Sequence, residues 1–208
     1  MANKRLAMVV DTVRCIGCST CAVACKVENN VPNGVWWNRV LTVGGEDIDT
    51  PEIRNGHLEM SFLTLACQQC ENAPCVKVCP VGATYQREDG VIMQDYDRCI
   101  GCRYCMVACP YTGVRQFNWE DPEYEVDHAV GGEGVAAHQK GTVEKCTFCS
   151  HRLEEGLEPA CVEVCPARAR VFGDLDDPES DVSEKLRERS SVQLLAEKGT
   201  KPSVYFLT

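Results

Sequence analysis

Residues 67–110 of the chain read Cys67-Gln-Gln-Cys70-Glu-Asn-Ala-Pro-Cys75-Val-Lys-Val-Cys79-Pro80 and, after a short gap, Cys99-Ile-Gly-Cys102-Arg-Tyr-Cys105-Met-Val-Ala-Cys109-Pro110. The eight thiols form two runs of four, and each run ends in Cys-Pro. The second run has the Cys-x2-Cys-x2-Cys-x3-Cys-Pro spacing that holds [4Fe–4S] clusters in bacterial ferredoxins. There, three closely spaced thiolates bind one cluster and the fourth binds its neighbour. Two adjacent runs that complete each other's ligand sets therefore predict a pair of iron–sulfur sites.

Two further cysteine runs flank this region. The first reads Cys15-Ile-Gly-Cys18-Ser-Thr-Cys21-Ala-Val-Ala-Cys25, and Lys26 takes the place of the closing proline. The last reads Cys146-Thr-Phe-Cys149, an eleven-residue spacer, then Cys161-Val-Glu-Val-Cys165-Pro166. The four runs contain all 16 cysteines of the 208 residues. Such close spacing favours a shared metal centre over disulfides. A structural zinc site, which two Cys-x2-Cys pairs typically form, fits these runs poorly.

The runs alternate along the chain between a tight spacing and a long spacing. A ferredoxin unit needs two runs, so the second and third form one contiguous unit. The first and fourth then form another unit, into which the contiguous one is inserted. We expect an α+β fold of two nested 2[4Fe-4S] bacterial-ferredoxin-like units with short β hairpins, short helices and long loops. The predicted domains are 1–56 plus 143–208 for the outer split unit, 57–119 for the central unit, and 120–142 for an acidic, glycine-rich surface insertion.

The nesting predicts how the thiols are shared among four sites. In the outer unit, site 1 is Cys15, Cys18, Cys21 and Cys165, and site 2 is Cys146, Cys149, Cys161 and Cys25. In the central unit, site 3 is Cys67, Cys70, Cys75 and Cys109, and site 4 is Cys99, Cys102, Cys105 and Cys79. Four [4Fe–4S] clusters in a row would move single electrons through the protein, which sets their potentials by burial, hydrogen bonds and nearby charge.

Outside the cysteine runs, short strands and loops are expected. Leu6–Asp11 and His57–Leu65 each have the pattern of a strand, and residues 81–94 have that of a β hairpin. Because no proline follows Cys25, the helix there is expected to continue through Val27. The apolar tail Lys201–Leu207 is expected to dock on the body of the protein or on a partner.

Composition excludes several functions. A net charge of −10 disfavours nucleic-acid binding, and no apolar run approaches the ~20 residues that span a bilayer. The sequence contains no phosphate loop, dinucleotide fingerprint or Ser/His/Asp arrangement.

The scattered histidines are expected to be surface or structural residues: His57, His128, His138 and His151. Basic residues next to the cysteines are either charges that tune iron–sulfur potentials or ordinary solvated side chains: Arg14, Lys26, Lys77, Arg98, Arg103, Lys145 and Arg152.

Over nearly its whole length, the chain resembles the iron–sulfur (beta) subunits of dimethyl sulfoxide reductase family molybdopterin oxidoreductases. The resemblance is carried by the four runs, by Lys145-Cys-Thr-Phe-Cys149 and by Gly173-Asp-Leu-Asp-Asp-Pro178. It is nearest to the polysulfide, thiosulfate, tetrathionate and arsenate reductases. It implies a large catalytic subunit that carries a molybdenum or tungsten bis-pterin cofactor, and often a quinone-reactive membrane subunit. Some relatives replace a third-run cysteine with tryptophan, but here all four are present, so four [4Fe–4S] clusters are expected.

The sequence therefore predicts a non-catalytic electron-transfer subunit of an oxidoreductase complex. The alternative is a polyferredoxin-type subunit of a hydrogenase or formate dehydrogenase complex. Residues 1–10 lack the cleavage site of a signal peptide. We therefore expect either export in complex with a signal-bearing partner to the extracytoplasmic side, or a cytoplasmic location.

Overall fold

The computed structural model describes residues 4–44 and 49–208, which form an α+β fold of short elements. The strands are β1 (Leu6–Asp11), β2 (Asn38–Val43), β3 (Glu52–Arg54), β4 (His57–Glu59), β5 (Ser61–Ala66), β6 (Thr84–Gln86), β7 (Ile92–Gln94), β8 (Gln116–Phe117), β9 (Val143–Glu144), β10 (Arg170–Asp174), β11 (Ser191–Val192) and β12 (Val204–Leu207). The helices are α1 (Thr20–Glu28), α2 (Pro74–Lys77), α3 (Tyr104–Val107), α4 (Ser150–Glu154), α5 (Ala160–Glu163) and α6 (Asp181–Glu188), with a 3-10 turn at Ala196–Lys198. Among the described residues, no helix is long and apolar enough to cross a membrane.

The largest sheet brings the two ends of the described chain together. Its strand order is β10-β1-β12-β11. Strand β1 pairs antiparallel with β10 and parallel with β12, so Val10 lies opposite Phe206. The apolar tail is therefore a central strand, which confirms that it docks on the body of the protein.

The two faces of β1 serve two different cores, because successive side chains of a strand point to opposite sides. Ala7 and Val9 pack with Val182 of α6 and with Leu207. Met8 and Val10 pack on the other side in a cluster that contains cysteines of the first and last runs. One strand thus supports α6 on one face and the cysteine-rich interior on the other.

Four two-stranded sheets surround this interior: β2-β5, β3-β4, β6-β7 and β8-β9. The β6-β7 pair is the hairpin expected in residues 81–94. The prediction of one strand at His57–Leu65 is wrong in detail. Met60 separates β4 from β5, and β4 pairs with β3. Two pairings, β2-β5 and β8-β9, also join segments that the predicted domain boundaries assign to different units.

The short helices follow from the cysteine runs. Helices α2, α3 and α5 all end before a Cys-Pro pair, where proline cannot continue the helical hydrogen bonds. Helix α1 has Lys26 after Cys25 and continues to Glu28, which confirms the expected extension. Two ligand candidates four residues apart, such as Cys21 and Cys25, therefore lie one helical turn apart, on the same side of the helix.

Residues 120–142, predicted as a surface insertion, are exposed over most of their length. The segment is tied to α1 and the turn that follows it, where Gly132 N donates to Glu28 O at 2.8 Å and Asn33 N donates to Glu123 O at 2.8 Å. Its end differs from the prediction, because His138 and Thr142 are buried. The insertion therefore contributes side chains to the interior as well as to the surface.

Candidate metal centres

The four cysteines of predicted site 1 line one cavity. Cys15, Cys18, Cys21 and Cys165 are all among its lining residues. Three come from the loop and helix that follow β1, and the fourth comes from the far end of the chain. Gly17, at a φ of +70°, makes this tight loop possible, because a Cβ there would lie 2.4 Å from the ring of Phe62.

The four cysteines of predicted site 2 line a second cavity. Its lining includes Cys25, Cys146, Cys149 and Cys161, together with Cys67, which is predicted to belong to site 3. Cys67 and Cys146 also interact electrostatically. The outer and central units therefore meet at this cavity.

The cysteines of the central unit are also close neighbours. Cys70 interacts electrostatically with Cys67 and Cys75, and Cys109 interacts with the same two thiols. These interactions therefore link all four cysteines of predicted site 3. For site 4, the described interactions join Cys105 to Cys99 and to Cys75 of site 3.

The remaining two cysteines of site 4 have different surroundings. Cys79 accepts a hydrogen bond from Thr84 N at 3.4 Å, and Cys102 is exposed to solvent. The described interactions thus link all four predicted members of site 3, whereas those of site 4 join only two of its predicted members.

Burial separates the sites into an inner and an outer pair. All four thiols of site 2 are buried, and so are three of the four thiols of site 3. In contrast, sites 1 and 4 each have a single buried thiol, Cys21 and Cys105. Each also has one exposed cysteine, Cys18 or Cys102, which is the second cysteine of a Cys-Ile-Gly-Cys sequence.

Thiol pKa values follow this difference. Burial raises the pKa of Cys70 and of Cys149 to about 11, with neighbouring thiols adding to the effect. Burial raises the pKa of Cys25 well above its usual value. The hydroxyl of Thr20, 3.3 Å from the sulfur, lowers the pKa of exposed Cys18. Because metals bind the thiolate, a bound metal centre would supply the positive charge that holds these buried thiols deprotonated.

Backbone and amide N–H groups donate to several of the cysteine sulfurs. Ala169 N donates to Cys165 Sγ at 3.3 Å, just as Thr84 N donates to Cys79 Sγ after the corresponding Cys-Pro. Asn29 Nδ2 lies 3.7 Å from both Cys25 Sγ and Cys149 Sγ. Such donors favour thiolate over thiol and tune the potential of a bound cluster.

Three buried basic side chains lie among the cysteines. Arg170 lines the cavities of both site 1 and site 2, and its Nη1 donates to Cys161 Sγ at 3.4 Å. Lys145 is fully buried beside Cys146. Arg115 is buried and interacts with the thiolates of Cys75 and Cys105. Of these three residues, only Lys145 is among the basic residues predicted from the sequence to lie next to the cysteines. The two arginines follow a Cys-Pro by a few residues, which is the only sequence feature that points to them.

Some buried polar atoms in this region have no hydrogen-bond partner among the described residues. They include Asn38 Nδ2 and Thr64 Oγ1, and both residues line the cavity of site 2. Thr64 also lines that of site 1. The cysteines that line the two cavities, the N–H donors aimed at sulfur and the unpaired donors in the walls fit [4Fe–4S] clusters, whose sulfur atoms accept such bonds.

His138 has a structural role, as expected for the scattered histidines, but it is buried. Its Nδ1 faces Glu144 Oε1 at 2.5 Å, and its Nε2 lies 2.9 Å from Asn29 O. Trp37 Nε1 donates to the same carboxylate at 3.1 Å. Burial alone would lower the pKa of His138, but the hydrogen bond and charge of Glu144 raise it above its usual value.

Comparison with known proteins agrees with this chemistry. Two matches to families described as 4Fe-4S dicluster domains cover residues 14–83, and residues 58–125 with 134–175. The fold and the cysteine sites thus define an iron–sulfur protein of the dicluster ferredoxin class.

Three similar proteins identify the family within this class of iron–sulfur proteins. The chain is 57% identical to the putative dimethyl sulfoxide reductase iron–sulfur subunit of Halobacterium salinarum, over 96% of this chain and 78% of that protein. It is 39% identical to the arsenate respiratory reductase iron–sulfur subunit of a Shewanella species, over 98% of this chain and 96% of that protein. It is 42% identical to a subunit of the tetrathionate reductase of Salmonella typhimurium, over 98% of this chain and 72% of that protein. The chain belongs to the iron–sulfur (beta) subunits of the dimethyl sulfoxide reductase family of molybdopterin oxidoreductases, and its function is electron transfer.

Proposed function

We propose that the sixteen cysteines hold four [4Fe–4S] clusters in the order site 1, site 2, site 3, site 4. The chain passes single electrons along this row, between a molybdopterin catalytic subunit and a quinone-linked membrane subunit or another redox partner. It performs no substrate chemistry itself. The nested arrangement of two ferredoxin-like units, with the ligand sets given above, is part of the proposal.

The cavities of sites 1 and 2 carry the proposal. Each is lined by the four cysteines that the nesting assigns to it, drawn from opposite ends of the chain. Helix α1 joins the two sites, because Cys21 and Cys25 lie one turn apart on it. Cys67 in the wall of site 2 supports a step from the outer to the central unit.

The clusters, when bound, supply the one-electron redox chemistry. The protein shields site 2 from water, because β1, β12 and Phe148 cover it with buried apolar side chains. It also positions N–H groups toward ligand sulfurs, as Ala169 N does toward Cys165. These donors stabilise the negative charge that each added electron brings.

The two ends of the row are accessible. Cys18 of site 1 and Cys102 of site 4 are exposed, and apolar side chains next to them, Ile16 and Ile100, are each 63% exposed. Exposed apolar surface beside a redox site suits contact with a partner protein. These ends are therefore where the catalytic and quinone-linked partners would dock. One relative is named as a menaquinol oxidoreductase iron–sulfur subunit.

The chain would reach the extracytoplasmic side in complex with a partner that bears an export signal, with a cytoplasmic location as the alternative. The preference rests on the resemblance to respiratory reductase subunits. Fractionation of cells that express the whole complex tests it, since exported complex appears in the fraction outside the cytoplasmic membrane.

Paired serine substitutions test the crosswise ligand sets. Cys165→Ser and Cys15→Ser are expected to alter the same cluster signal in electron paramagnetic resonance of the reduced protein. Cys161→Ser and Cys25→Ser are expected to alter a different signal in common. The nesting would be contradicted if Cys165→Ser and Cys161→Ser altered one signal together, because these two cysteines would then belong to a single site.

A further inference from the structure

Arg170, Lys145 and Arg115 are the buried members of the lysine and arginine residues that the structure describes, and we call them the gap cations. Burying a charge is expensive unless an opposite charge compensates it. In the described part of the chain, no ion pair to a carboxylate includes any of the three. Their compensating charge must therefore come from the cysteine sites.

Arg170 lies between sites 1 and 2. It lines both cavities, and it interacts with Cys21 of site 1 and Cys161 of site 2. Its Nη2 donates to Asn38 Oδ1 at 3.2 Å, so a neutral amide rather than a carboxylate orients the guanidinium. Its positive charge is thus directed at two neighbouring sites.

Arg115 has the equivalent position in the central unit. It interacts with Cys75 of site 3 and Cys105 of site 4, which are the third cysteines of a long and a tight run, as Cys161 and Cys21 are. Its Nη1 lies 3.3 Å from Gln94 Oε1 and 3.5 Å from Thr84 Oγ1. Its Nη2 has no hydrogen-bond partner of normal geometry among the described residues.

The two arginines reach equivalent places by different routes. Arg170 is five residues beyond Cys165, and the residue five beyond Cys79 is Thr84. In the central unit this threonine contacts the guanidinium of Arg115, which arrives from after the third run instead. The same charge is therefore placed at the same kind of gap from non-equivalent sequence positions.

Lys145 fills the remaining gap, between sites 2 and 3. Its ammonium donates to two backbone carbonyls, Ile92 O and, at 2.9 Å, Cys146 O. Burial lowers the pKa of Lys145, and the negative charges of Cys67 of site 3 and Cys146 of site 2 oppose that shift. The buried carboxylate of Glu144 is already engaged by His138, Trp37 and Asn118.

We propose that the gap cations are positioning residues for electron transfer, one between each pair of consecutive sites, and that each raises the reduction potential of both sites flanking it. This inference rests on the proposed row of four clusters. An arriving electron adds one negative charge to a site, and no bond forms or breaks. A fixed cation offsets that charge on both sides of the gap without a proton, which keeps neighbouring potentials close together.

The test measures midpoint potentials of the full-length protein with its clusters, by redox titration followed with electron paramagnetic resonance. Arg170→Gln is expected to lower the potentials of sites 1 and 2. Lys145→Met should lower those of sites 2 and 3, and Arg115→Gln those of sites 3 and 4. Each substitution is expected to lower the midpoint potentials of the two flanking sites by at least about 59 mV. For one electron, that is a tenfold change in the ratio of reduced to oxidised sites at a fixed potential.

Matched controls separate buried charge from charge in general. Arg14→Gln and Lys77→Met remove exposed cations one or two residues from a ligand, where water screens them, and should shift potentials much less. Arg170→Lys, Arg115→Lys and Lys145→Arg retain a cation and should return the potentials toward wild type. If a neutral variant loses iron, the variant that retains a cation at the same position decides: wild-type potentials support the proposal, and a fall in the potentials of both flanking sites contradicts it.

Three results would overturn the proposal: unchanged potentials in neutral variants with full iron content, equal shifts in all sites, or equal shifts in the controls. Failure of the proposed function is distinguishable. Wild-type protein that binds far fewer than about sixteen irons would contradict the row of clusters itself, whereas a complete set of clusters with insensitive potentials would contradict the gap cations alone.

Discussion

The inner sites, 2 and 3, and the outer sites, 1 and 4, are built from the same cysteine runs but have different surroundings. Seven of the eight inner thiols are buried, whereas two of the eight outer thiols are. The difference comes from what covers each run. Strands β1 and β12 and Phe148 cover site 2, while the Cys-Ile-Gly-Cys loops of the outer sites face solvent. Ligand spacing thus sets which metal centre forms, and the surrounding fold sets how strongly it is shielded.

The largest expected effect comes from removing one inner ligand. Cys161→Ala should lose about four irons per chain and destabilise the protein by at least about 3 kcal/mol, because a fully buried metal centre contributes to folding. Its outer counterpart, exposed Cys102→Ala, should confine the damage to site 4. Iron analysis and anaerobic thermal unfolding measure both. Equal destabilisation by the two variants would remove the distinction between inner and outer sites.

Metal removal should sharpen the same distinction. With an excess of iron chelator and mild oxidant, the sites containing exposed Cys18 and Cys102 should lose iron first, on the order of tenfold faster than the inner sites, which need local opening. The visible absorbance should then fall in two phases of similar amplitude. A single phase would show that the burial difference does not govern access to iron.

The His138–Glu144 pair should stabilise the region beside site 2 in a pH-dependent way. The pKa of His138 is raised in the folded state, so its contribution is complete below the unfolded value of about 6.5 and is lost as pH rises through the folded value. His138→Gln should cost about 2 kcal/mol at low pH and less at high pH.

The control for this prediction is His57→Gln, because His57 is exposed. Unfolding of the two variants and the wild type is compared on both sides of about pH 6.5. A loss of stability in His138→Gln that is the same at every pH would contradict an ion pair that depends on protonated His138.

The smallest expected effect concerns a hydroxyl beside site 3. Tyr111 Oη lies 2.7 Å from Thr200 Oγ1 and donates to Leu194 O at 3.2 Å. Tyr111→Phe should cost about 1 kcal/mol, because the buried Thr200 hydroxyl loses its partner. Tyr104→Phe, at an outer site where the ring is 64% exposed, should change unfolding by much less. Chemical denaturation measures the difference, and equal effects would argue against an interior role for Tyr111.

Much of the fold and of the candidate site could be predicted from short stretches of sequence. Cysteine spacing predicts the short helices, the ends imposed by Cys-Pro and the iron–sulfur class, which the family comparison confirms. The ligand sets stay predictions, supported by the two cavities. These features could be predicted because helix periodicity and ligand spacing act over a few residues.

Long-range partners could not be predicted in the same way. The strand expected at His57–Leu65 is broken because β4 pairs back onto β3, a pairing that its alternation does not encode. Apart from following a Cys-Pro by a few residues, Arg170 and Arg115 resemble any surface arginine in sequence, and only the packing of distant elements makes them buried cations. His138 likewise lies in a polar segment, and its burial depends on Glu144 and Asn29.

Iron and inorganic sulfide analysis, combined with reductive titration of anaerobically prepared full-length protein, tests the central claim most directly. Four clusters predict about sixteen irons and sixteen sulfides per chain and an uptake of about four electrons. A preparation that is correctly folded but holds half that iron, takes up two electrons or fewer, or contains zinc in place of iron would contradict the row of four sites.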